Sequence, residues 1–158
     1  MQEYNIRRKD RAISEEEAAD LLRKAEYGVL ACADAEGTPY AVPLSYVFMN
    51  NQAYFHCALS GHKTDNIKAN SRVSFVVVGE VEAVYDKGFS TYYKSAMING
   101  EVRPVSDPEE KTASLLALAE KYLPDHLSEA GPYIERLDKA TAVYAVSGRI
   151  TGKSKKKA

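Results

Sequence analysis

The 158-residue sequence predicts a mainly β protein of the α+β kind, an antiparallel barrel of about six strands with peripheral helices. Three observations carry this. Apolar runs of strand length are separated by turn residues, only two or three segments have helical spacing, and the strands and helices do not alternate in the regular βαβα order of a parallel sheet.

The elements follow in order. Ser14-Glu15-Glu16-Glu17 has the form of a capping box, and Ala18, Leu21, Leu22 and Ala25 recur with helical spacing up to Tyr27-Gly28. Gly28 to Ala33 reads as a first strand and Asp34-Ala35-Glu36-Gly37 as a hairpin turn. Pro39 to Phe48 reads as the second strand; Pro39 and Pro43 remove ladder donors, so it should be an edge or carry a bulge. Asn50-Asn51 turns the chain into a third strand, Gln52 to Ala58, which completes an antiparallel meander. A helix is expected from His62 to Ala69. It leads into Arg72 to Val78, whose nearly continuous apolar character predicts burial on both faces. A long strand is expected from Ser90 to Val105, then a helix opened by Ser106-Asp107-Pro108-Glu109 and ended by Pro124, with Leu115, Leu118, Ala119 and Tyr122 on one face. Pro132 to Lys139 reads as a short helical segment and Thr141 to Thr151 as the last strand. Without repeats or a linker, residues 1–152 are expected to form one domain and 153–158, Lys-rich, a disordered basic tail.

Composition narrows the function classes. The net charge of −1 offers no long-range attraction for nucleic acid or acidic lipid. No apolar run approaches the roughly 20 residues that span a bilayer. Two cysteines, Cys32 and Cys57, and no basic-then-apolar leader segment lead us to expect a cytoplasmic protein with free thiols. A dinucleotide Gly-x-Gly-x-x-Gly, a Gly-Lys-Ser/Thr phosphate loop and a Gly-x-Ser-x-Gly elbow are all missing. His56, Cys57 and His62 are metal-ligand types close together, but neighbouring strand residues point to opposite faces, so no metal site is expected.

The most informative stretch is Ser60-Gly61-His62-Lys63, where a strand ends and a helix can begin. Ser60 offers a hydroxyl, Gly61 close backbone approach, and His62 and Lys63 donors and positive charge, beside helix N–H groups that lack partners. These are the parts of a phosphate site. Alone the tetrapeptide reads more readily as a solvated strand end than as a site. The edge-type segment Val42-Pro43-Leu44-Ser45 upstream strengthens the functional reading, because exposed strand edges are where backbone meets ligands.

Taken together, Arg7-Arg8-Lys9-Asp10-Arg11, Tyr27-Gly28-Val29-Leu30-Ala31, Tyr40 to Val47, Phe55-His56-Cys57-Ala58, Gly61-His62-Lys63 and Asp65 resemble the flavin-binding split-barrel superfamily, the pyridoxamine 5′-phosphate oxidase-like proteins. Within it they resemble the nitroimidazole-resistance (Nim) branch. The match is specific in the first half and looser from about Gly79 onward. The resemblance implies a six-stranded split barrel and a homodimer with flavin mononucleotide (FMN) in a groove between the subunits. It implies that the backbone of Val42, Pro43, Leu44 and Ser45 meets the isoalloxazine edge and that Ser60, Gly61, His62 and Lys63 hold the phosphate. Asp65 would orient this segment, His56 would lie near the cofactor, and Ser95 would contact flavin from a neighbouring region. His62 would be the candidate catalytic residue. Haem is the alternative cofactor, with His56 or His62 as axial ligand, in a carrier or sensor; a deazaflavin or a vestigial pocket is a further alternative. The C-terminal Ser147-Gly148-Arg149-Ile150-Thr151-Gly152 lacks the arginine and histidine pattern of true pyridoxamine phosphate oxidases, so reduction of small electron-poor, nitroimidazole-like compounds is expected instead of vitamin B6 oxidation.

Overall fold

A computed structural model describes residues 6–85 and 87–155. One antiparallel sheet of seven strands dominates it, in the order β2-β1-β5-β6-β7-β4-β3. The strands are β1 (Gly28–Ala33), β2 (Pro39–Leu44), β3 (Val47–Met49), β4 (Gln52–Ala58), β5 (Arg72–Tyr85), β6 (Phe89–Pro104) and β7 (Thr141–Lys155). The helices are α1 (Glu15–Lys24), α2 (His62–Ala69), α3 (Pro108–Tyr122) and α4 (Leu127–Leu137). The expectation of a mainly β protein with helices holds. The six-stranded barrel does not: there are seven strands, and the sheet is open, with β2 paired only to β1 and β3 only to β4.

The extra strand arises because the expected strand from Pro39 to Phe48 breaks at Ser45-Tyr46. Tyr46 leaves the ladder to bury its ring completely against Phe75, with ring centroids 4.7 Å apart. As its two prolines require, β2 is an edge strand.

Three other boundaries move. The β5–β6 pair continues past the expected end at Val78 as a two-stranded arm, with Val81 opposite Tyr93 and Tyr85 opposite Phe89. Between Val78↔Ser95 and Val81↔Tyr93, β5 advances three residues while β6 advances two, which is a bulge on β5. β7 runs to Lys155, pairing Lys153 with Ser95 and Lys155 with Tyr93, so the first lysines of the expected tail belong to the sheet. Residues 156–158 lie outside the described residues. α4 begins at Leu127, earlier than the expected Pro132, which it accommodates in its interior.

One face of the sheet is the core. Leu30, Phe55, Phe75, Val77, Ala96, Ile98 and Val146 are buried there with Ala18 and Leu22 of α1 and Ile67 of α2. Burying such side chains stabilises each by about 1.5–3 kcal/mol relative to exposure. The α1 capping box forms as predicted, Glu17 N–H donating to Ser14 Oγ at 3.1 Å and Ser14 N–H to the Glu17 carboxylate at 3.3 Å. At the other end of the sheet, α3 covers the outer side of β4 and β7 through Tyr54, Val143, Ala145 and Leu115. On β5, burial on both faces is not what the chain achieves alone: Val73, Phe75 and Val77 are buried, whereas Val76 is half-buried and Val78 is 57% exposed.

Candidate functional site

Helix α2 follows directly on β4 and is entered through Gly61, whose φ of 141° and ψ of 168° suit glycine and strain other residues. No side chain caps this end. The helical ladder begins with Asp65 N–H donating to Gly61 C=O at 3.0 Å, so the amides of His62, Lys63 and Thr64 precede it and face outward from the positive end of the helix. The helix is anchored from beneath. Thr64 is buried and donates its hydroxyl to Gly61 C=O at 2.6 Å, Ile67 enters the core, and the Asn66 amide reaches Cys32 Sγ of β1 at 3.8 Å.

His62 is exposed and sits edge-on to Tyr40 of β2, with ring centroids 4.7 Å apart. That contact brings the α2 entrance to β2, whose residues Val42 and Leu44 pack on the core while Pro43 and Ser45 are exposed. As an edge strand, β2 leaves alternate backbone groups unused by β1, although Pro43 has no N–H to offer. The two predicted segments, 42–45 and 60–63, thus lie on neighbouring elements.

Lys63 is half-buried, its Nζ 5.3 Å from the centre of the Phe55 ring. Among the described residues it has no carboxylate partner. Its charge is felt at both thiols: burial pushes Cys32 and Cys57 up, and Lys63 pulls each part of the way back. Both cysteines are free. His56 is directed away from this group. Strand alternation puts it on the opposite face from Phe55 and Cys57, which pack on the core, and it pairs in register with Val143. Its imidazole is pushed below the ordinary histidine range, first by burial and then by the Lys63 charge. Among the described residues no three His, Cys, Asp or Glu side chains converge on a metal position.

Ser95 lies elsewhere. It is on β6, separated from β2 by β1 and β5, where it lines a cavity of about 90 Å³ with Val76, Met97, Thr151 and Lys153. A larger, open cleft of about 480 Å³ adjoins it at Thr151 and Gly152 and is lined by Ile6, Lys9, Ile13 and Arg149. Neither reaches the α2 entrance, so one chain does not bring Ser95 together with Ser60–Lys63.

Sequence reasoning missed Lys121 and the hydroxyl of Tyr122. Lys121 Nζ donates to Ala25 C=O at 2.8 Å and to Tyr46 C=O at 3.0 Å, 4.0 Å from the centre of the Tyr46 ring. Helical spacing marks Tyr122 as part of an apolar face, but no local signal says that its oxygen meets a strand break 76 residues away.

Residues 14–154 match the family model described as pyridoxamine 5′-phosphate oxidase. The chain belongs to the pyridoxamine 5′-phosphate oxidase family. No curated protein matches it. Among solved structures, this family member is similar to a candidate 5-nitroimidazole antibiotic resistance protein from Bacteroides thetaiotaomicron, with 24% identity, TM-score 0.75, and 90% of this chain and 86% of that one covered. It is also similar to a flavocytochrome from Azotobacter vinelandii, with 17% identity, TM-score 0.79, and 98% and 73% coverage. A FAD and haem binding protein from Mycobacterium smegmatis aligns with 20% identity, TM-score 0.77, and 91% and 72% coverage. At these identities the likeness carries the fold, and the fold relatives include proteins named for flavin and for haem.

Proposed function

We propose that this family member binds FMN, with the phosphate at the entrance of α2 and the ring edge along Val42–Ser45, and that it reduces small electron-poor compounds of the nitroimidazole type. The observation that carries the reading is the group at residues 61–63: among the described residues, a helix N-terminus without a side-chain cap, a glycine with open space beside it, and a lysine ammonium without a carboxylate partner. A phosphate dianion meets the needs of all three. The names of the fold relatives support a flavin or haem guest; the choice of FMN rests on the phosphate-sized donor set.

Bound flavin would supply the two-electron chemistry. The chain's own part is to hold and orient it. Lys63 and the amides of His62–Thr64 bind charge, Ser60 adds a hydroxyl, and the backbone of Val42, Leu44 and Ser45 fixes the ring edge. In this reading His62, exposed beside Tyr40, would pass a proton from a ring nitrogen to a reduced substrate. We assign Ser95 to a second chain's contribution. The outer face of β1, β5 and β6, with Val29, Val76 and Met97 half-exposed and no helix over it among the described residues, is the surface on which a second copy would seat in a homodimer.

The test is the visible spectrum of protein purified from cells, repeated after FMN addition and gel filtration. Stoichiometric flavin, with affinity falling in Lys63→Ala by about 1.5–3 kcal/mol for one charge-assisted contact, is the expected result. A haem band that His62→Ala abolishes would replace flavin with haem, and retention of neither would sink the reading.

A further inference from the structure

We infer that the last turn of α3 sets the position of the cofactor-facing segment, with Lys121 and Tyr122 acting as positioning residues for Val42–Ser45. The link to the cofactor rests on the function proposed above.

β2 has one neighbouring strand, so its far side cannot hold it in place. Its C-terminal end is also where the ladder stops, because Ser45 and Tyr46 belong to no strand. Both backbone groups of Tyr46 are instead taken by α3. Its N–H donates to Tyr122 Oη at 3.0 Å, and its carbonyl accepts from Lys121 Nζ at 3.0 Å. The Tyr46 side chain is buried between the Phe75 ring and the Lys121 ammonium, and its phenol donates to Leu22 C=O.

The same two α3 residues hold the other end of the corner. Lys121 Nζ donates to Ala25 C=O at 2.8 Å and Tyr122 Oη to Glu26 C=O at 2.5 Å. Ala25 and Glu26 immediately precede β1, and Gly28, the first residue of β1, pairs with Leu44, the last of β2. One helical turn therefore fixes the open end of the β1–β2 hairpin at both of its strands. A shift there moves Val42–Ser45 as a unit, since no strand pairs with the outer edge of β2 among the described residues. A half-buried ammonium shared by two carbonyls and two ring faces is a directional device that apolar packing would not supply.

Tyr122→Phe deletes one oxygen and keeps the ring, which separates positioning from packing. The expected result is unchanged far-UV circular dichroism and unchanged exchange at Ile98 and Val102, with exchange of the Tyr46 amide accelerated about tenfold or more. FMN affinity should fall about fivefold or more, and the visible circular dichroism of bound flavin should change. Lys121→Met should behave alike, and Lys121→Arg should restore much of the affinity. Unchanged Tyr46 exchange in both variants overturns the inference. So does faster exchange with flavin affinity and visible dichroism untouched, which would leave only structural glue. Wild-type protein that binds no FMN would sink the proposed function instead, and Tyr46 exchange would still decide whether α3 holds the segment.

Discussion

Lys121 is also a residue whose ionisation is strongly displaced by its surroundings. Burial lowers it to about 8, against the pull of two carbonyls and two rings toward the charged form. The sign of the consequence follows from proton linkage. In the unfolded chain the amine keeps its ordinary value near 10.5, so between pH 8 and 10.5 the unfolded state binds more protons and stability rises with pH. Below pH 8 both states are protonated and the cost of a buried charge is fully present. Chemical denaturation of wild type and Lys121→Met across pH 7 to 10 should show the wild type gaining on the variant above pH 8; parallel profiles would assign the titration elsewhere. Tyr46, the titratable neighbour beneath the ammonium, is pushed well above the ordinary phenol range by burial and stays neutral over this window.

At the scale of elements, α2 is entered through a single backbone conformation that favours glycine. Gly61→Ala would force an L residue to φ 141°, a strain of about 1–3 kcal/mol that the helix entrance can relieve by fraying. The expected outcome is a modest loss of melting temperature and a much larger loss of flavin affinity; equal losses in Gly61→Ala and in the hairpin-turn variant Gly37→Ala would mean that the entrance has no special role. This element was legible in the sequence because everything it needs is local: a strand end, a glycine and a run of polar helix formers. The same holds for the α1 capping box and for β2 as an edge, where Pro39 and Pro43 announce themselves. The break at Ser45-Tyr46 was not legible, because Tyr46 is held there by Phe75 and Tyr122, both distant in the chain. The arm was missed because Gly79, Glu80 and Glu82 interrupt the apolar pattern, and Lys153–Lys155 because charge alone reads as solvated even where the backbone still pairs with β6. Of the site, 42–45 and 60–63 were legible as segments; that Lys63 leans over Phe55 while His56 turns to the other face emerges only when β4 takes its register against β7.

The whole molecule presents one sheet face to the core and leaves much of the other bare. β6 keeps strict alternation through Phe89, Thr91, Tyr93, Ser95 and Met97, so the aromatic side of the arm, with Val81 and Tyr85 across from Tyr93 and Phe89, continues the bare face of the central strands. Phe89 is 97% and Tyr85 74% exposed, a load that an isolated two-stranded ribbon is ill-suited to carry in water. If this face seats a second copy, light scattering should give about twice the 17.5 kDa chain mass, and Val76→Lys with Phe89→Ser should return the single-chain value. A single-chain mass for the unmodified protein would remove the dimer from the proposal. The bulge on β5 adds a constraint on how such an arm can vary over time. Side chains alternate sides with every residue, so a lone insertion keeps the aromatic side on its face when a bulge absorbs it and turns that side over when none does. The bulge between Val78 and Val81 absorbs one extra residue on β5, so that Val81 and Tyr85 still share a face with Tyr93 and Phe89 across the pair.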